Sequence, residues 1–396
     1  MPTEEKILDI TETEYIEPAV QEPVPEAEIP EIPEKQKMPR WLIVDIVLLS
    51  VAAVSLVLYY TLRRVPGFAT LASNGFSTPI REFLGSVMKY IPFSVAEWFY
   101  VVVILFVLFH IVYSIIKIKK SQKRLLELLR RVLVIVLLVA YILSGYNWLW
   151  GIDYYSTDTF SNQSGIPTMA PANPQDLLNV TISFLMAANE LSTKVERDEN
   201  GLFAEDMDEI FENSEHVYDV MFENFQFLEG ECRRPKKMVF SEIMSILGFT
   251  GIYFPFTGES NINMKQTPAF IPCTISHELA HQLGYTSEQE CNFIGIVAGI
   301  ASGDTAYQYS ACLSGLLYLM NELYSISPEV WSELKTYFTP ELSADWDANN
   351  AYWHARETLI DTVSSFIYDL YLKGNGQAMG MMSYSACVTM LVEYFK

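Results

Sequence analysis

The sequence predicts a mostly helical α+β protein: three transmembrane helices, then an external domain in which a small sheet lies beside a helix carrying HELAH. Three observations predict this class. Half of the 396 residues are apolar, and the apolar residues concentrate in three long runs that end at Trp150. Short β-type runs broken by Gly, Pro and Ser cluster between Met238 and Asn263. Helical patterns fill most of the rest beyond Pro174.

Residues 1–40 are rich in Glu and Pro and poor in aromatics, a composition that buries too little surface to fold. They are expected to form a disordered tail. The anchor, residues 41–150, follows. Its runs are Trp41 to Leu62, Phe99 to Ile116 and Val132 to Trp150, each long enough to cross a hydrocarbon core. The first run begins too far into the chain, and is too long, for a cleaved signal peptide. The segment between the second and third runs carries Lys117, Lys119, Lys120, Lys123, Arg124, Arg130 and Arg131. Basic short loops stay on the cytoplasmic side. The expected topology therefore has a cytoplasmic N-terminus and an extracytoplasmic domain after the third span.

Charge sharpens the division. Residues 1–150 hold equal numbers of basic and acidic groups, so the formal net charge of −22 belongs to residues 151–396. An acidic domain lacks the Lys and Arg that phosphate backbones require, which argues against nucleic acid as a partner. It also disfavours docking on anionic lipid. The five cysteines, Cys232, Cys273, Cys291, Cys312 and Cys387, all fall in this part without CxxC spacing. An odd number leaves at least one unpaired in a monomer, and small buried hydrophobes is the simplest reading.

Residues 151–174 are expected to be a linker, and residues 175–396 the external domain. Asn173 and Pro174 open a helix as cap and first helical residue. Ala204 to Phe225 is expected to be helical. Met238–Phe240, Gly251–Phe256 and Ser260–Asn263 are the expected strands, and helix resumes at Pro268.

The chemistry lies in TISHELAHQLGYTSEQECN, residues 274 to 292. Positions four apart share one face of a helix. His277 and His281 can therefore present two imidazoles to one zinc ion. Glu278 is rotated by about a hundred degrees around the axis, which places its carboxylate beside the metal as general base. A bound zinc ion would lower the pKa of its water towards ~7. A catalytic zinc site needs a third protein ligand. Gly284 ends the first helix, and Thr286 or Ser287 caps a second. Glu288 in its first turn is the favoured third ligand, with Glu290 competing. Zinc peptidases of the gluzincin type take such a Glu from a following helix, often with an Asp four residues later; here that place is held by Asn292. Phe254 to Asn263 is the candidate edge strand for binding substrate backbone, and Glu259 a candidate further carboxylate. Tyr384, then His354, are the candidate oxyanion donors. His110 lies inside the second run, where histidines are often functional. His216 has no evident partner.

GIYFPFTGESNIN, PAFIPCTISHELAHQLG, SEQECNF and YLKGNGQAMGMMSYS together resemble a family of uncharacterised bacterial membrane proteins that are predicted zinc metallopeptidases. The resemblance implies a zincin-like domain with the same site and implies no substrate. The leading expectation is a membrane-anchored zinc metallopeptidase acting on peptides or protein segments outside the cytoplasmic membrane. A receptor or sensor with a metal-binding ectodomain, and a structural membrane protein with a vestigial site, are the alternatives.

Overall fold

The computed structural model describes residues 39–168, 172–228, 230–377 and 384–396, without the side chains of residues 384 and 385. The expected disordered tail falls almost wholly outside the described residues. Contacts divide the chain at Ile43: residues 1–43 form one unit, described from residue 39, and Val44–Lys396 pack as the other.

The longer helices before the C-terminal domain are α1 (Arg40–Leu62), α2 (Thr78–Met88), α3 (Val95–Lys120) and α4 (Arg124–Tyr146). Two of them, α1 and α3, are long and apolar enough to cross a membrane. They are not core helices. Only Ala52 and Tyr59 of α1 are buried, and only Ala96, Glu97, His110 and Ser114 of α3. The third apolar run falls on α4, whose first turns carry Arg124, Glu127, Arg130 and Arg131. The His110 ring nitrogen lies 3.0 Å from the Arg131 carbonyl oxygen, late in α3 and early in α4, so the two helices run antiparallel. Tyr141 and Ser144 of α4 bond to Leu48 and Ser55, so α4 runs parallel to α1. The basic turn closes one end of this bundle.

Residues 151–174 are more than the expected linker. Ile152 and Phe160 are fully buried. A short helix, Phe160–Ser164, takes its N-terminal hydrogen-bond partner from the far domain: Glu290 accepts from the Phe160 and Ser161 N–H groups. Unsatisfied N–H groups at a helix start need such acceptors.

The C-terminal domain is built on α5 (Pro174–Ser192), α6 (Ile271–Gln282), α7 (Glu288–Ala301), α8 (Thr305–Ile326), α9 (Pro340–His354), α10 (Leu359–Gly374) and α11 (Tyr384–Phe395). Asn173 caps α5 as expected, its side chain accepting from Gln175 and Asp176. Phe184, Leu279, Ile294, Leu313 and Leu391 join α5, α6, α7, α8 and α11 in one core. Each such side chain contributes about 1.5–3 kcal/mol on burial. The expected helix at 204–225 breaks into Met207–Asn213 and Asp219–Asn224. At the break the Ser214 hydroxyl donates to the Phe211 carbonyl, a local bond that competes with helix continuation.

Three short strands form the sheet: β1 (Lys236–Lys237), β2 (Gly251–Phe254) and β3 (Glu259–Ile262), in the order β1-β3-β2. β2 pairs antiparallel with β3, Phe254 opposite Glu259; β1 pairs parallel, Lys236 opposite Asn261. The stretch expected as an edge strand, Phe254 to Asn263, therefore supplies the central strand, and the outer strands are β1 and β2. Glu259 is neither an exposed turn residue nor a site carboxylate: it is buried and accepts from the Val95 and Ala96 N–H groups at the start of α3. The sheet is fixed to α6 through Ser260, which donates to the Glu278 carbonyl and accepts from Gln282. The five cysteines are all buried and free.

Candidate metal centre

α6 carries HELAH with its polar face turned away from the main core. Gly295 of α7 lets this helix approach closely, because a Cβ there would meet the His277 backbone nitrogen at 2.8 Å. The chain reverses at Gly284, at a φ of 98° that glycine adopts without strain. Ser287 then precedes α7, and Glu288 is its first residue.

This reversal brings His277, His281 and Glu288 together. Their ligand atoms lie within 4.8 Å of one another. His277 Nε2 is 3.4 Å from one Glu288 oxygen, and His281 Nε2 is 3.8 Å from the other. Two ligands of a tetrahedral zinc ion, at about 2.0–2.2 Å from the metal, stand roughly 3.4 Å apart. The spacing fits a single small cation.

Hydrogen bonding prepares the donors. The Tyr285 carbonyl is 2.7 Å from His281 Nδ1, so that nitrogen carries a proton and Nε2 is the ring nitrogen turned towards Glu288. Tyr368 of α10 donates to Glu288 at 2.6 Å. Burial would raise the Glu288 carboxyl, but hydrogen bonds and charge from His277 and His281 outweigh it and hold it well below the ordinary carboxylate range. Cys291 also approaches His281 Nδ1, at 3.3 Å. Burial pushes its thiol up to about 11.

Glu278 is almost fully buried. Its Oε2 has no hydrogen-bond partner, nor has His277 Nδ1. Gly251 of β2 makes room for it, since a Cβ there would meet Glu278 Oε1 at 2.5 Å. Burial pushes the Glu278 carboxyl up to about 7, against the opposing pull of the His281 and His277 rings. The site thus holds a buried carboxyl with one unpartnered oxygen beside two imidazoles.

The other residues singled out in the sequence are placed elsewhere. Glu290 is committed to the Phe160–Ser164 helix, and the Ser161 hydroxyl donates to it as well. The choice of Glu288 over Glu290 thus rests on which carboxylate faces the imidazoles. His354 ends α9 on the surface, 3.2 Å from Glu357 and largely exposed; α9 gives Asn349 and Trp353 to the cavity wall, and His354 does not line it. Tyr384 opens α11, and its side chain lies outside the described residues. Asn292 lines the cavity. His216 pairs with Asp219 on the surface.

Several participants gave no sequence signal. Tyr368 and Tyr371 lie three apart on α10, and their stacked rings face the site. Tyr371 donates to Tyr154 at 3.1 Å and bonds to Tyr146. The Trp150 ring meets the His281 ring edge-on at 5.7 Å, and the Arg81 guanidinium lies 4.7 Å over Trp150. Arg81 is held in turn by buried Asp153 and the Leu149 carbonyl. Helical spacing in YDLY was the available clue, but 23 tyrosines dilute it.

A family described as a protein of unknown function (DUF3810) matches residues 73–392. The chain belongs to the DUF3810 family. The match takes in α2 to α10 and most of α11, and so contains every residue of this DUF3810 site. No curated protein and no solved structure matches the chain.

Proposed function

We propose that this chain is a membrane-anchored zinc metallopeptidase with a zincin-like catalytic domain. One observation carries the reading: two imidazoles and a carboxylate from adjacent helices converge within 4.8 Å, beside a buried glutamate with an unpartnered oxygen. His277, His281 and Glu288 would hold the ion; two nitrogens and one oxygen suit zinc. When bound, the ion would polarise a carbonyl and acidify water.

The chain's own groups supply the rest. Glu278 accepts a proton from the attacking water. The water oxygen bonds to the peptide carbonyl carbon, the C–N bond breaks, and Glu278 returns the proton to the leaving amine. Tyr368 fixes the Glu288 carboxylate. The Tyr253 hydroxyl, buried on the cavity wall and without a partner, is a free donor for the carbonyl oxygen. β2 lies along the cavity with one edge unpaired among the described residues, and an extended peptide can add to such an edge.

Membrane insertion through α1, α3 and α4 agrees with their outward apolar faces. The site lies at the end of the bundle opposite Lys117–Arg131; with positive charge inside, it would stand outside the cytoplasmic membrane. The substrate is a peptide or protein, and the acidic domain argues against nucleic acid. The test is zinc content of the purified full chain, followed by cleavage of a peptide library. One zinc per chain and cleavage that Glu278→Gln abolishes are expected; a chain that binds no zinc sinks the reading.

A further inference from the structure

The cavity that holds the metal centre does not end in the external domain. It encloses about 1190 Å³. One end is walled by the ligands and Glu278. The other reaches Phe99 and Tyr100 at the start of α3, and Val139, Ile142 and Leu143 within the apolar run of α4. Val139 lies about 10 Å along the helix axis from Tyr146, at ~1.5 Å per residue. The cavity therefore descends beside the anchor well past its outer end. This wall is open: Tyr100, Val139 and Leu143 are 46%, 57% and 41% exposed, so cavity lining and lipid-facing surface are continuous.

The rim repeats the pattern. α10 turns Tyr368 and Tyr371 inward and leaves Leu359, Val363, Phe366, Ile367 and Leu370 exposed on its other side. Their spacing makes one apolar stripe. Soluble surfaces seldom expose so continuous a stripe. Tyr371 bonds to Tyr146 at the end of α4, which sets the stripe next to the anchor. Val239 and Phe240, also exposed, flank the start of α3, where Glu97 accepts from their N–H groups. Apolar groups thus ring the domain where it meets the bundle.

We propose that the site draws its substrate from the bilayer: a polypeptide whose apolar segment stays in the membrane while the adjoining stretch enters the cavity and is cut. This rests on the peptidase reading above and names its substrate class. Two observations select a polypeptide over a phospholipid. Among the described residues no Lys or Arg lines the cavity, so a phosphate headgroup finds no side-chain cation. The β2 edge offers backbone hydrogen bonds that a polypeptide can use and an acyl chain cannot. The stripe on α10 lies in the interface and holds the rim at lipid level.

The test uses the full chain, zinc-loaded, in phosphatidylethanolamine–phosphatidylglycerol vesicles. It is given peptides of varied sequence, free in solution or fused to a membrane-spanning apolar segment. The fused forms should be cut at least ten-fold faster. Phe366→Asp with Ile367→Asp, at exposed positions, should erase that advantage and leave the rate on free peptides unchanged. Equal rates on both forms, or an advantage that survives the double variant, would overturn the bilayer route and leave a peptidase. Release of fatty acid from the vesicles with no peptide cut would overturn it in favour of a lipid substrate. Bound zinc with neither peptide form cut would remove the peptidase reading and this inference together.

Discussion

Two sets of buried glutamates in this molecule have the same chemistry and opposite surroundings. Glu97, Glu259 and Glu290 each accept backbone N–H groups at the start of a helix or loop contributed by another part of the chain. Glu278 is equally buried, yet one oxygen has no partner. In the first set the cost of burying a carboxylate is offset by charge-assisted hydrogen bonds, and the result ties the C-terminal domain to the segments that precede it. In the second the cost is left standing beside the imidazoles. Under the proposed function, the unsatisfied fourth carboxylate is the one that serves a ligand.

The comparison can be broken from the reactive side first. His281→Ala should give the largest effect, loss of stoichiometric zinc and of all cleavage, read by metal analysis and a peptide assay. Glu278→Gln should lower the turnover rate by about 10²–10⁴-fold while zinc content stays at one per chain. If Glu278→Gln instead lost zinc, the carboxylate would be structural like the others and the contrast would disappear. Tyr368→Phe removes the hydrogen bond to Glu288 and should weaken zinc affinity or activity by roughly 10–100-fold, measured by competition with a chelator.

The structural side calls for smaller and different effects. Glu290→Ala or Glu259→Ala leaves buried N–H groups without acceptors and should lower stability by about 1–3 kcal/mol, read as a drop in Tm. Zinc content per folded molecule should not change. His354→Ala, at a surface ion pair, should stay within about 0.5 kcal/mol and leave cleavage intact.

Much of the centre was legible in the sequence because its spacing is local. Four residues separate His277 from His281, and helical geometry alone puts them on one face. Glu288 was harder: its first-turn position and its gluzincin-like spacing to Asn292 favoured it over Glu290, and the rivalry is decided by which way α7 turns after Gly284. The edge strand was misplaced for a related reason. β-type composition marks strands but not their order, and order comes from pairing between segments. Tyr368, Trp150 and Arg81 carried no signal, since a tyrosine or tryptophan that supports a ligand looks like any core aromatic.

The sequence by itself determined the periodicities and the charge balance: apolar runs of membrane length, a helix with two imidazoles one turn apart, and a net negative charge carried by residues 151–396. Those are short-range facts, fixed by rise and turn. Tertiary structure alone decided which carboxylate meets the imidazoles, which glutamates serve as caps, and that the cavity runs down along α4. Each of these depends on segments tens to hundreds of residues apart meeting in space, and no local spacing encodes such a meeting.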